Sequence, residues 1–167
     1  MSNELIISST QDGCRIALLR DKHLVEFHQE EEGSKFQVGD IYLGTVKKVV
    51  PGLNAAFIDV GYDKDAFLHY LDLGPQFSSL NKFTKLTRGK KIFGKLEKFT
   101  LEPDIDKHGK IGQQLAKGQV LPVQIVKEPI STKGPRLSCE LSLAGRYLVL
   151  VPFSKAVKKK KKITSNE

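Results

Sequence analysis

The chain has 167 residues, 40% hydrophobic and 28% charged, a composition typical of a folded protein of one domain or slightly more. Lysine and arginine outnumber aspartate and glutamate by 27 to 19, and the formal net charge is +8. This excess indicates a polyanionic partner, with nucleic acid as the first candidate and an anionic membrane surface as the second. Solubility alone is the alternative explanation of this charge.

No apolar run approaches the roughly 20 residues that cross a bilayer, and the N-terminus lacks the basic segment of a signal peptide. We therefore predict a cytoplasmic protein with no membrane span.

The first 38 residues predict a three-stranded meander. Strand-like runs cover 4–9, 15–20 and 23–29, separated by short turns. A sheet this small is rarely stable alone, so we expect it to use a partner surface. The acidic run that follows, Glu30 to Glu32, is typical of an exposed linker.

Residues 39–73 predict three short strands with a glycine or proline turn between each pair. Two more strands are predicted over 120–129 and 136–143. Five strands of this kind are expected to form a small OB-type barrel, which binds single-stranded nucleic acid through stacked bases and a cationic surface. The fold class is therefore mostly β.

Between the third and fourth barrel strands, the strand pattern stops. The segment 74–118 reads as a long insertion in which phenylalanines (Phe83, Phe93 and Phe99) alternate with seven basic residues between Asn81 and Thr100. One interpretation is a flap that faces nucleic acid. The other is a solvated loop whose phenylalanines anchor it to the barrel.

The end of the chain contains a continuous apolar run, Tyr147 to Val151, which predicts a strand buried on both faces of another sheet. A lysine block over 155–162 follows, and it is typical of a tail or interaction arm.

Candidate base-stacking residues come from alternation within two predicted strands. Ala56 and Ile58 point to one face, so Phe57 points to the other, wetter face. Phe67 lies in the same arrangement, and His69 is the third candidate. Lys47 and Lys48 supply positive charge in the same region.

No catalytic grouping is evident in the sequence. The four histidines show no metal-binding spacing, and Cys14 and Cys139 form no CxxC pair. We expect both cysteines to be free thiols, and a disulfide between them is the alternative. Four aspartates, Asp59, Asp63, Asp65 and Asp72, are more readily explained as turn and strand-end residues of the barrel than as a metal site for phosphodiester hydrolysis.

Three motifs, AAFIDVG, TKGP and SLAGRYLVLVP, occur in that order. With the opening strands ELIIS, RIALL and LVEF, they resemble the N-terminal part of bacterial ribonuclease E/G endoribonucleases. The resemblance covers almost the whole chain except the insertion. It implies three parts: 1–38 as the first strands of a ribonuclease-H-like subdomain, 39–144 as an S1-type OB domain, and 145–167 as a return strand and tail.

The resemblance also implies functional positions. Phe57, Phe67 and Lys133 match family positions that contact RNA. Gly145 and Val149 match positions near the pocket that senses the RNA 5′ monophosphate. The magnesium-binding carboxylates, the zinc-linking cysteines and the arginine of that pocket lie downstream in the family, with no counterpart here.

The chain is therefore expected to be an RNA-binding fragment, inactive by itself and without a cofactor of its own. The full-length enzyme would act in RNA processing and decay, use magnesium and structural zinc, and form a homo-oligomer. The alternative is a stand-alone module that binds single-stranded RNA, such as a translation accessory protein.

Overall fold

The computed structural model describes residues 2–10, 13–31, 36–89, 99–130, 132–154 and 158–159. The chain divides into two compact units, Met1–Lys35 and Phe36–Glu167.

The first unit is the predicted meander. Strands β1 (Asn3–Thr10), β2 (Gly13–Arg20) and β3 (His23–Glu31) form an antiparallel sheet in the order β1-β2-β3. Asp21 and Lys22 both have positive φ, 47° and 66°, as a two-residue turn matched to the twist of a hairpin requires. Within this unit large apolar side chains are more than half exposed, including Leu5, Ile7 and Leu24.

The second unit contains the barrel. Strands β4 (Ile41–Val50), β5 (Ala55–Asp59), β6 (Ala66–His69), β7 (Val120–Lys127) and β8 (Arg136–Ser138) close in the order β4-β5-β6-β8-β7. The mostly β prediction and the five barrel strands are confirmed. The last strand is shorter than predicted, because the chain leaves the ladder at Cys139, whose amide donates to the carbonyl of Asp72 instead.

The barrel core follows from alternation along each strand. Inward positions carry aliphatic side chains that are at most 1% exposed: Val46, Ile58, Leu68, Leu121, Ile125 and Leu137. Burying such a side chain contributes about 1.5–3 kcal/mol. The outward positions of the same strands point away from this core.

Strand β4 bends at a bulge between Val46 and Lys48. Gly44, in the middle of the same strand, stays in regular register with β7. A side chain is not accommodated at this position, since a Cβ at Gly44 would overlap Cγ2 of Ile58. The glycine therefore allows close packing of β4 against β5.

The predicted insertion has helical structure. It follows a 3-10 helix, Tyr70–Leu73, and contains α1 (Phe77–Arg88) and the short α2 (Ile111–Gln114). Phe77, Leu80 and Thr84 are buried on one face of α1. Over 74–89 and 99–118, the described residues of this segment, no strand is present, as predicted, but the helix α1 was not anticipated.

Two of the three phenylalanines of the insertion are packed. The rings of Phe83, Phe99 and Phe153 contact one another with centroids 5.5–5.7 Å apart. For Phe83 and Phe99, this contact supports the interpretation that they anchor the segment. Phe93 and four of the seven basic residues lie outside the described residues: Lys90, Lys91, Lys95 and Lys98.

The C-terminal part of this unit forms a small sheet of β9 (Leu143–Ala144), β10 (Leu148–Leu150) and β11 (Lys158–Lys159), in the order β11-β10-β9. Burial on both faces was predicted for this run and is wrong for this structure. Leu148 and Leu150 are 53% and 62% exposed, because the described sheet has only three very short strands. Apart from Lys158 and Lys159, the lysine block lies outside the described residues.

Candidate nucleic-acid interface

Phe57 and Phe67 lie on neighbouring strands and face each other directly. They are register partners on β5 and β6, with ring centroids 5.9 Å apart and planes inclined at 70°. Both rings are half-buried, whereas their neighbours Ala56, Ile58, Ala66 and Leu68 are fully buried. The alternation in the sequence correctly predicted which face of each strand these rings occupy.

A groove of about 880 Å³ opens beside the two rings. Its wall comes from the loop before β6 and from the hairpin that joins β7 to β8. The lining residues are Phe57, Lys64, Asp65, Phe67, Lys127, Glu128, Ile130, Thr132, Lys133, Gly134 and Arg136. Four cationic and two anionic side chains are among them, so the groove combines aromatic surface with a positive excess.

The β7–β8 hairpin carries Lys133 to the groove. Ile130 and Lys133 exchange two backbone hydrogen bonds, of 3.1 and 2.9 Å, which define the tip of the hairpin. The amide of Phe67 donates to the carbonyl of Pro135 at 2.8 Å, which fixes the hairpin beside β6. Lys133 is exposed and lines the groove with Phe57 and Phe67.

Arg136, on β8, is a groove residue that sequence reasoning missed. Its guanidinium forms an ion pair with Asp72, with Nη2 2.9 Å from Oδ2. Nε also donates to Oδ2 at 3.0 Å. The available signal was alternation, since Leu137 is buried and its neighbour Arg136 therefore points outward.

Lys47 and Lys48 differ in their partners although they are adjacent. The ammonium of Lys47 lies 2.9 Å from Oδ1 of Asp65 and 3.4 Å from Oδ2 of Asp59. These hydrogen bonds, that of Asp65 above all, raise the pKa of Lys47. Lys48 is exposed, is the register partner of Phe57, and has no ion pair within the described residues. Of the two, only Lys47 has its ammonium held by carboxylates among the described residues, and neither lysine is in the lining of the groove.

His69 has a local structural role. Its Nδ1 accepts a hydrogen bond of 3.2 Å from the amide of Leu71 and caps the 3-10 helix Tyr70–Leu73. It does not line the groove. Its use as a third stacking residue stays a prediction.

Val149 lies on β10 of the small C-terminal sheet, and Gly145 lies in the loop between β9 and β10. The amide of Gly145 donates to the carbonyl of Leu148 at 2.8 Å, and Val149 pairs with Ala144. They line no part of the groove, and their proximity to a 5′-monophosphate pocket stays a prediction.

Within the described ranges, no group of three or more histidine, cysteine, aspartate or glutamate side chains is arranged to hold a metal ion. Lys47 itself stands between Asp59 and Asp65, so these carboxylates do not fit a magnesium site. Both cysteines are free, and burial raises the pKa of the Cys139 thiol far above its usual range. No helix among the described residues has the length and apolar character needed to cross a bilayer.

Comparison with known proteins finds relatives that are named ribonuclease G or ribonuclease E. The chain is 36% identical to ribonuclease G of Escherichia coli over 165 residues, which is 99% of this chain and 30% of that protein. It is 33% identical to ribonuclease G of Haemophilus influenzae over 98% of this chain and 30% of that protein. The chain belongs to the ribonuclease E/G family and corresponds to its N-terminal region. It is also 37% identical to ribonuclease E of Nostoc sp. over 77% of this chain and 15% of that protein.

The chain thus spans less than a third of the length of the ribonuclease G relatives. No protein-family model matches it. The resemblance to the ribonuclease E/G family inferred from the motifs is confirmed.

Proposed function

We propose that this ribonuclease E/G region binds single-stranded RNA in the groove beside Phe57 and Phe67 and positions it for cleavage elsewhere in a longer enzyme. The observation that carries the proposal is the register pair of half-buried rings in a groove with four cations. Two adjacent rings provide a stacking surface for bases, and cations beside them attract phosphates.

The barrel is, on this proposal, an S1-type OB domain. Its support is the closed five-stranded barrel with the rings on β5 and β6, next to the cationic β7–β8 hairpin. We further propose that β1–β3 and the C-terminal sheet belong to a ribonuclease-H-like subdomain. The apolar side chains exposed on both sheets support this assignment, which favours the ribonuclease role over a stand-alone module.

RNA processing and decay, a magnesium-dependent endonuclease activity, structural zinc, oligomer formation and a cytoplasmic location remain expectations for the whole enzyme. They draw support from the family alone, since the relatives carry the name ribonuclease.

The test is binding of the 167-residue chain to a fluorescent oligoribonucleotide of about 12 nucleotides, within the range that one OB fold covers. Affinity is measured over a salt series. We expect micromolar binding, preference for single strands over duplex, and a slope of about 0.7 in log K against log salt for each neutralised phosphate. Equal binding at low and high salt would contradict the electrostatic part of the proposal.

A further inference from the structure

The register of the barrel strands aligns five residues in one row, four of which line the groove. Lys48 on β4 is paired with Phe57 on β5, and Phe57 is paired with Phe67 on β6. Phe67 is paired in turn with Arg136 on β8, and Arg136 with Lys127 on β7. Neighbouring strands lie about 4.8 Å apart, and the row follows the curve of the closed barrel. The two rings thus have a cation at one end and two cations at the other.

Arg136 stands directly beside the rings at the two-cation end. A guanidinium carries five N–H donors. Asp72 engages Nε and Nη2, so Nη1 takes no part in the ion pair. Arg136 is about half exposed, with 51% of its side chain accessible. It therefore has donors to offer a ligand while Asp72 holds the rest of the group.

Asp72 is well placed to orient this guanidinium. Its backbone carbonyl accepts hydrogen bonds from the amide of Cys139 and from Oγ of Ser138, at 2.8 and 3.0 Å. Its side chain is only 21% exposed. The backbone of Asp72 is thus tied to the chain segment that immediately follows Arg136, and its carboxylate contacts the guanidinium from there.

We propose that Arg136, oriented by Asp72, binds an RNA phosphate at the β8 end of the groove while Phe57 and Phe67 stack the adjacent bases. Lys127 adds charge at this end, since it is exposed and has no ion pair in the described part of the chain. This inference rests on the proposed function. The competing explanation is that the Arg136–Asp72 pair only ties the 3-10 helix to β8.

The experiment measures affinity for the same oligoribonucleotide, its salt slope and the melting temperature. We expect Arg136→Ala to reduce the magnitude of the salt slope by about 0.7. The loss of affinity relative to the parent chain should then be about fivefold larger at 0.1 M salt than at 1 M salt. Arg136→Gln, which retains hydrogen-bonding groups, should do the same and serves if the alanine variant does not fold. Lys107→Ala is the control, because Lys107 is exposed and lies outside the groove.

Asp72 is tested by Asp72→Asn beside Asp104→Asn, which removes the same charge at an exposed position outside the groove. General electrostatics predicts tighter binding for both. A positioning role predicts that Asp72→Asn gains less affinity than the control, or loses some. A gain equal to or larger than that of the control would overturn the positioning role.

The outcomes separate the two proposals. If the parent chain does not bind, or if Phe57→Ala has no effect, the proposed function is wrong. If the parent binds through Phe57 but both Arg136 variants keep the slope of the Lys107→Ala control, only the phosphate contact at Arg136 is wrong.

Discussion

Gly134 approaches Asp65 so closely that a Cβ at Gly134 would lie 2.3 Å from the backbone oxygen of Asp65. The hairpin carrying Lys133 and the loop carrying Lys64 are thereby brought together at the groove. The constraint is steric, because the neighbouring atoms belong to the backbone and not to a flexible side chain.

Gly134→Ala is therefore expected to lower the free energy of unfolding by about 1–3 kcal/mol, the usual cost of overpacking. RNA affinity should fall as well, because the hairpin has to shift. Thermal or denaturant unfolding measures the first effect. Gly112→Ala is the control, since nothing lies within 4 Å of a Cβ there. Equal stability of the two variants would contradict the close approach.

Phe57→Ala and Phe67→Ala should each weaken RNA binding by about 1–3 kcal/mol, the contribution of one stacked base. Because the rings are half-buried, we expect less destabilisation than the ~3–5 kcal/mol of an emptied core site. Binding titrations beside thermal melts separate the two effects. Leu53→Ala, which alters an apolar side chain that is 56% exposed and outside the groove, is the control. Collapse of the melting temperature with normal residual binding would show that the rings are core residues.

Lys48→Ala should reduce the salt slope of RNA binding more than Lys47→Ala does. The ammonium of Lys47 is already held by Asp65 and Asp59, whereas Lys48 lies opposite Phe57. A full phosphate contact corresponds to about 0.7 in the slope. The two adjacent lysines serve as controls for each other, and a larger effect at Lys47 would refute the assignment.

The pKa of Asp59 should lie below its usual range. The amide of Gly61 donates to its Oδ1 at 2.9 Å, and Lys47 adds a second, smaller effect. A carboxyl with a lower pKa in the folded state stabilises the fold above the unfolded pKa. That stabilisation is lost as the pH falls through the folded pKa, below about pH 4. Carboxyl-carbon NMR titration checks the shift.

In Asp59→Asn, the free energy of unfolding should therefore fall less steeply with decreasing pH below about pH 4 than in the parent chain. The effect will be small, because the Asp59 side chain is 41% exposed. If the pH dependence of unfolding below about pH 4 is unchanged in the variant and the pKa of Asp59 in the parent is ordinary, the hydrogen bond from Gly61 to Asp59 does not have this effect.

The 167-residue chain is expected to bind 5′-monophosphorylated RNA without magnesium-dependent cleavage. Such hydrolysis requires carboxylates that converge on the metal, and here Asp59 and Asp65 converge on the ammonium of Lys47. Incubation with labelled RNA and magnesium, followed by electrophoresis, tests this. Cleavage that disappears in Asp59→Asn would place an active site within the barrel.

The sequence by itself determined the strands and their faces, because alternation within β5 and β6 is a local property that separates Phe57 and Phe67 from the buried Ile58 and Leu68. Its motifs also indicated the ribonuclease E/G family. Only the tertiary structure decided which cations lie beside the rings and which are paired with carboxylates. Lys47 and Lys48 are equivalent in sequence, but a bulge in β4 and the fold of the β5–β6 loop give Lys47 two carboxylate partners. Arg136 reaches Phe67 through a parallel pairing between β6 and β8, which are separated by 66 residues or more of chain. Contacts between residues so far apart depend on how the strands close into a barrel, and no local pattern encodes them.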